Sequence, residues 1–125
     1  MSLQKNVLGT TLRTCSRDPI TGYFRTGCCE TDAEDAGEHT ACVHITAEFL
    51  NVSKDKGNDL ITPRPEFGFQ GLKPGDQWCV CAGRWFEVYQ TGAIGPLVLE
   101  ACHESLLDYL SLEELQKCAY QPRLQ

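Results

Sequence analysis

Long apolar runs, secretory leaders and basic patches are all missing from this chain of 125 residues. No stretch approaches the ~20 apolar residues of a membrane-spanning helix, and residues 1–7 lack the apolar run of a secretory signal. The 11 basic residues are scattered and outnumbered by 17 acidic ones, which gives a net charge of −6. This pattern argues against nucleic-acid and membrane partners and favours small molecules or proteins. We expect a cytoplasmic protein.

Internal repeats and low-complexity linkers are also missing, so the chain is expected to form one domain. We place a single two-layer α+β domain at residues 6–120, because short helices and short strands follow each other without regular βαβ units. Residues 1–5 are expected to be disordered or left over from cloning, and residues 121–125 to form a tail.

Local signals place the regular elements between segments rich in turn-forming residues. Thr46 can cap a helix that Gly57 ends, and Ser111 with Glu114 has the spacing of a capping box. Strands are predicted over residues 40–45, 77–82 and 97–101, a helix over residues 84–90, and a helical turn over residues 103–107. Residues 6–29 are predicted to be irregular, residues 30–38 a solvated acidic loop, and residues 58–76 a long loop rich in proline and glycine.

Eight cysteines are the most informative feature of the sequence. A cytoplasmic chain of this length can build an ordinary core, so we expect all eight sulfurs to be free or metal-bound. Cys79 and Cys81 should not pair with each other, because residues i and i+2 of a strand stand ~6.5–7 Å apart. Cys15, Cys102 and Cys118 are more simply explained as buried core residues.

One interpretation of the remaining cysteines is a metal site. Thiolates and imidazoles are ligands of zinc, and a closed zinc site needs four of them. The candidate ligands are Cys28, Cys29, His39, Cys42, Cys79 and Cys81. Only His39 and Cys42 approach the spacing of a zinc knuckle, so this interpretation depends on composition more than on a motif.

A second interpretation is nucleophilic catalysis, which needs a cysteine beside a histidine that a carboxylate orients. The candidate nucleophiles are Cys28, Cys29 and Cys42, the candidate bases His39 and His103, and the candidate orienting groups Asp59, Asp76 and Glu100. No glycine-flanked cysteine motif of the kind found in acyl-transfer enzymes selects one of them.

A third interpretation is a binding module in which the cysteines only pack. Pro63 and Pro65 hold the backbone around Arg64 extended, which presents its guanidinium to an anion. The candidate ligand-binding residues are Arg64, Arg84, Asp59 and Asp76, together with nearby aromatic side chains.

Several long motifs, taken in order, are similar to those of one protein family. They are Asn6-Val7-Leu8-Gly9, Pro19-Ile20-Thr21-Gly22-Tyr23-Phe24-Arg25-Thr26-Gly27-Cys28-Cys29, Gly57-Asn58-Asp59-Leu60, Thr62-Pro63-Arg64-Pro65-Glu66-Phe67-Gly68-Phe69, Gly71-Leu72-Lys73-Pro74-Gly75-Asp76, Trp78-Cys79-Val80-Cys81 and Arg84-Trp85. The chain from Asn6 to about Ala119 resembles a family of small bacterial proteins catalogued as domain of unknown function 2237.

The resemblance implies an α+β fold and no established activity. The family pattern includes Cys15, Cys28, Cys29, His39, Cys42, Cys79, Cys81 and His103. It usually has threonine where this chain has Cys102, and it does not require Cys118, so neither is expected to serve as a ligand. We therefore expect a Cys/His-rich site that binds a metal such as zinc or reacts with a small molecule. The alternatives are the binding module and a cysteine-dependent hydrolase or transferase.

Overall fold

Two short strands, β1 (Ala41–His44) and β2 (Gln77–Val80), form an antiparallel sheet in the computed structural model, which describes residues 2–121. Cys42 lies directly opposite Cys79 in the register of this sheet. Three α-helices accompany this sheet within the described residues, so the expected α+β class is confirmed. Within residues 2–121, no helix has the length and hydropathy required to cross a lipid bilayer.

The helices begin where short polar side chains can cap them. Thr46 accepts a hydrogen bond from the Phe49 N–H at the start of α1 (Ala47–Asp55), and Gly57 follows its end with a φ of 98°. Ser111 accepts from the Glu114 N–H at the start of α3 (Leu112–Gln116). These local signals were read correctly from the sequence.

The second helix, α2 (Ala82–Gln90), begins two residues before the predicted residue 84, and β2 ends at Val80 rather than at residue 82. The sequence predicted that Cys81 lies in this strand. It is instead the residue that precedes the first turn of α2. This junction decides the orientation of its side chain.

The predicted strand at residues 97–101 is wrong in extent. Leu97 forms only single bridges, to Val43 and to Ala119, and the chain then turns into a 3₁₀ helix at Leu99–Ala101. Two other 3₁₀ helices lie at Pro65–Phe67 and Glu104–Asp108. An apolar run of this length occurs in buried turns as well as in buried strands, so the periodicity of the sequence could not distinguish the two.

The core is closed by large side chains with at most about 1% of their surface exposed: Phe49, Ile45, Trp85, Leu97, Leu106 and Leu115. The helices α1 and α2 pack against each other. The indole N–H of Trp85 donates to the Gly95 carbonyl at 2.9 Å, so the buried polar atom is satisfied.

The N-terminal segment is irregular, and side-chain hydrogen bonds hold it to the domain. The buried Asn6 amide donates to the carbonyls of Thr11 and Glu100. Thr21 accepts from the Cys79 N–H at 2.9 Å, so this segment covers the free edge of β2. Ser2 donates to the Glu30 carboxylate, which fastens the first described residue.

Candidate functional site

Four of the eight cysteines form two disulfides, Cys15–Cys42 and Cys29–Cys79, with Cα–Cα distances of 5.8 and 5.3 Å. The expectation that all eight sulfurs are free or metal-bound is therefore wrong for this structure. The paired residues are 27 and 50 positions apart in the chain, so only the fold brings them together. Each disulfide joins one strand of the sheet to the N-terminal segment.

The four paired sulfurs, which we call the sulfur cluster (Cys15, Cys29, Cys42 and Cys79), are buried with at most 4% of each residue exposed. The sulfur atoms of Cys15, Cys29 and Cys79 lie within 4.8 Å of one another. In the thiol form these three could serve as metal ligands.

The six-residue ligand set expected from the sequence is not assembled. In the part of the chain that the structure describes, the group with metal-binding geometry is Cys15, Cys29 and Cys79. Four of the expected ligands lie outside this group: Cys28, His39, Cys42 and Cys81. Cys15, which the sequence suggested was a simple core residue, lies inside it. Spacing along the chain carries no information about these nonlocal distances.

The other four cysteines are free thiols: Cys28, Cys81, Cys102 and Cys118. Burial raises the pKa of Cys102 to about 12 and also raises the pKa of Cys118, so both stay protonated and unreactive near neutral pH. Cys28 and Cys81 are partly exposed, and a reagent can reach either of them.

Cys81 belongs to a triad of side chains. Its Sγ lies 3.3 Å from Nε2 of His39, and Nδ1 of His39 lies 2.7 Å from Oδ1 of Asp35. The Asp35 side chain has no exposed surface, whereas about a third of the His39 side chain is exposed. A thiol, an imidazole and a buried carboxylate in this order form the arrangement that activates a nucleophilic cysteine.

The Asp35 carboxylate is ionised and saturated with hydrogen bonds. Burial on its own would raise its pKa, but the backbone N–H and the ring of His39 and the Thr31 hydroxyl all donate to it, and its pKa is lowered. An ionised Asp35 holds a ring proton of His39 on Nδ1 and turns Nε2 towards the sulfur of Cys81.

His39 holds a proton more tightly than an isolated histidine does. The hydrogen bond with Cys81 is the largest cause, burial opposes it, and the bond with Asp35 adds to it, so the pKa of His39 rises from 6.5 to about 9. The imidazole is therefore mostly protonated at neutral pH and places a positive charge beside the sulfur of Cys81.

The tight loop before β1 places His39 against α2. Glu38 has a left-handed φ of 49°, which is unusual for a residue other than glycine. Its carbonyl accepts the Ala82 N–H at 2.9 Å, and its carboxylate accepts the Tyr109 hydroxyl at 3.2 Å. The loop that carries His39 is thereby fastened to the helix that begins after Cys81.

Gly37 passes so close to the pair that a side chain there would collide with both residues. A Cβ at this position would lie 2.9 Å from Cε1 of His39 and 3.1 Å from Sγ of Cys81. Asp35 holds the imidazole in place, so the ring cannot easily move away. The glycine is therefore required by close approach.

Cys81 opens into a cleft of about 410 Å³ that Gly37, Gly83, Arg84 and Tyr109 also line. The first N–H groups of a helix have no partner within the helix. The Ala82 N–H is used by Glu38, while those of Gly83 and Arg84 belong to the first turn beside the cleft. They are donors of the kind that stabilise an oxyanion.

Cys28 has a larger cleft but no comparable partner. That cleft measures about 540 Å³ and is lined by Arg13, Arg17, Thr26 and Glu30 among others, with no histidine. Its sulfur donates a long hydrogen bond to Thr14 Oγ1 at 3.9 Å. Its histidine partner, rather than the size of its cleft, therefore makes Cys81 the stronger candidate for a reactive cysteine.

The remaining candidate residues have other contacts. Nδ1 of His103 accepts the Ser105 N–H and caps the 3₁₀ helix Glu104–Asp108. Asp76 accepts from the Lys73 N–H in a tight turn, and Glu100 lies in the 3₁₀ helix Leu99–Ala101. None of the three expected orienting carboxylates, Asp59, Asp76 and Glu100, contacts His39; Asp35 does.

Asp35 was missed because five acidic residues between Glu30 and Glu38 were interpreted as one solvated loop. Its position four residues before His39 could have indicated the contact, since residues with this spacing are neighbours on a helix. The loop is not helical, however, and reaches the same contact in another way. The arginines also separate: Arg84 lines the Cys81 cleft and bonds to Glu87, while Arg64 lies in a different groove.

A family model described as "Uncharacterized protein conserved in bacteria (DUF2237)" matches residues 5–119. The chain belongs to the DUF2237 family. Among curated proteins, no match to the chain was found. The match spans the whole triad and the sulfur cluster, so both lie within the family's domain, and it assigns no activity to either.

Proposed function

We propose that this DUF2237 protein is a cysteine-dependent hydrolase or acyltransferase in which Cys81 is the nucleophile, His39 the base and Asp35 the orienting group. One observation supports the proposal. Sγ of Cys81 lies 3.3 Å from Nε2 of His39, and Nδ1 of His39 lies 2.7 Å from Asp35. Such a relay can move a proton without moving the residues that hold it.

In the proposed first step, Nε2 of His39 holds the proton that the Cys81 thiol has given up, and the sulfur attacks the carbonyl carbon of the substrate. The bond to the leaving group breaks, His39 returns the proton to that group, and a thioester remains on Cys81. In the second step, water or another acceptor loses a proton to His39 and attacks the thioester, and the Cys81 thiol re-forms. The N–H groups of Gly83 and Arg84 would stabilise the oxyanion in both steps.

An activated ester tests the proposal. We expect p-nitrophenyl acetate to release p-nitrophenolate in a burst equal to the protein concentration and to leave an acetyl group on Cys81, located by peptide mass spectrometry. Cys81→Ser and His39→Gln should abolish the burst, and Cys28→Ser should keep it. Acetylation on Cys28 instead, or an unchanged burst in His39→Gln, would contradict the proposal.

A second candidate function is metal binding by the sulfur cluster. The specific observation is the mutual distance of at most 4.8 Å among the sulfurs of Cys15, Cys29 and Cys79, next to Cys42. In a reducing compartment such as the cytoplasm, two disulfides would become four thiols. Tetrahedral zinc with bonds of about 2.3 Å places its sulfurs about 3.8 Å apart, which a small adjustment of this cluster would supply.

Metal content and thiol state distinguish the two forms of the cluster. Protein purified from a reducing cytoplasm without chelator should contain one zinc per chain, and Cys79→Ser should lose it while Cys118→Ser retains it. A metal-free protein whose intact mass is four hydrogens below that of the fully reduced chain would show that the cluster is a pair of disulfides and does not bind zinc.

A further inference from the structure

One surface groove is lined by two arginines and has aromatic side chains at its base. This surface, which we call the arginine groove, measures about 280 Å³ and is lined by Arg25, Asp59, Arg64, Phe67, Phe69 and Trp78. Arg25 and Trp78 also line a neighbouring cleft of about 320 Å³ that reaches His39. The groove is therefore next to the triad but does not include Cys81.

The floor of the groove is apolar and is formed by two rings tilted by 58° to each other. The rings of Phe69 and Trp78 lie 5.2 Å apart, and 70% of Phe67 is exposed at the rim. An aromatic ring could pack between these tilted rings and remove them from water, face to one and edge to the other.

Arg25 is held above this floor at some conformational cost. Its guanidinium carbon lies 5.4 Å from the centre of the Trp78 ring, and one of its nitrogens donates to the Gly22 carbonyl. The backbone of Arg25 has a left-handed φ of 57°. Among the non-glycine residues that the structure describes, only Glu38 shares this feature, and strained residues concentrate at functional sites.

Arg64 enters the groove from a rigid turn. Its N–H donates to the Phe69 carbonyl at 2.8 Å, and its carbonyl accepts the Phe69 N–H at 3.1 Å. Among residues 2–121, neither Arg25 nor Arg64 forms an ion pair. Two unpaired arginines in one groove are notable in a chain with 17 acidic residues.

Asp59 is the one acidic residue of the lining, and its oxygens are already engaged. They accept hydrogen bonds from the Thr62 hydroxyl and from the N–H groups of Ile61 and Thr62. These bonds, the Thr62 hydroxyl first, lower the pKa of Asp59 to about 2, so it remains ionised. With two arginines and one carboxylate, the groove keeps one net positive charge.

We propose that the arginine groove binds a small planar aromatic anion, such as an aromatic carboxylate, sulfonate or phosphate ester. The anionic group lies between Arg25 and Arg64, where it completes their unused hydrogen-bonding capacity, and the ring system packs against Phe69 and Trp78. This binding site does not depend on Cys81 being a nucleophile.

Two fluorescent probes that differ in charge test the inference. 1-Anilinonaphthalene-8-sulfonate carries a sulfonate, and N-phenyl-1-naphthylamine is its uncharged counterpart. We expect the sulfonate to bind one-to-one, and Arg25→Gln or Arg64→Gln to weaken its binding about tenfold, because a hydrogen bond to a charged group is lost. The uncharged probe should bind these variants and the wild type alike.

Arg13→Gln is the matched control, because it removes the same charge from the separate Cys28 cleft. It should leave the affinity for the sulfonate unchanged, and Arg25→Lys should restore part of it. Arg64 is exposed, so we expect Arg64→Gln to fold normally. This variant tests the inference even if Arg25→Gln disturbs folding. Equal binding of both probes, or equal loss in all three Gln variants, would overturn the inference.

Discussion

Nδ1 of His39 lies 2.7 Å from Oδ1 of Asp35, and the same Asp35 carboxylate accepts the His39 backbone N–H at 2.9 Å. One buried carboxylate therefore fixes both the ring and the backbone of the residue that faces Cys81. The preference of His39 for Nδ1 protonation and the position of Nε2 follow from these two bonds.

Replacement of Asp35 by asparagine should slow acetylation of Cys81 by about tenfold or more, because the orienting charge is lost while the shape is kept. The burst with p-nitrophenyl acetate measures this effect. Asp55→Asn, at an exposed residue near the end of α1, serves as the control and should react at the wild-type rate. Equal rates for the wild type and Asp35→Asn would remove Asp35 from the proposed machinery.

Gly37→Ala should separate Cys81 from His39. The added methyl group would meet Cε1 of His39 and Sγ of Cys81, and overpacking of this kind typically costs about 1–3 kcal/mol of stability. We expect acetylation of Cys81 to slow by about tenfold or more, since small displacements of reacting groups have large effects on rate. Full reactivity in a variant that melts near the wild-type temperature would mean that the pair tolerates the methyl group.

Stability should depend on pH through His39. A folded-state pKa raised from 6.5 to about 9 stabilises the fold fully below pH 6.5, and this contribution is lost as the pH rises through about 9. Urea unfolding at a series of pH values should therefore show the wild type losing its advantage over His39→Gln across this window. A constant difference between the two proteins would argue against a protonated His39.

The two disulfides should contribute measurably to stability. In the chain-entropy model, loops of 27 and 50 residues correspond to about 3.5–4 kcal/mol each. We expect a strong reductant, with a chelator present to remove metal, to lower the urea midpoint substantially. The Cys29→Ser/Cys79→Ser double variant should lose about half of this effect. An unchanged midpoint on reduction would indicate that these sulfurs pack without being bonded.

Local signals carried much of the fold prediction. The caps at Thr46 and Ser111 and the turn at Gly57 depend on a few neighbouring residues, so the sequence predicts them directly. The extent of the segment around Leu97 was not predictable in this way. It depends on single bridges to Val43 and Ala119, which lie far away in the chain.

The site was predictable in its residue types and not in its pairings. Cys81 was predicted only as a metal ligand and His39 as either a metal ligand or a base, and the two were not paired because their separation in sequence carries no distance information. Asp35 was hidden in an acidic run, and its burial depends on hydrogen bonds from Thr31 and His39. The disulfide partners likewise depend on how the N-terminal segment crosses the sheet.

The most direct test of the central claim is the rate at which iodoacetamide alkylates each free cysteine, followed by peptide mass spectrometry. Cys28 is partly exposed and has no histidine partner, so it serves as an internal reference. The account predicts that Cys81 reacts about tenfold faster than Cys28 or more at neutral pH and that His39→Gln removes this difference. Equal rates at the two thiols in the wild type would contradict the assignment of Cys81 as an activated nucleophile.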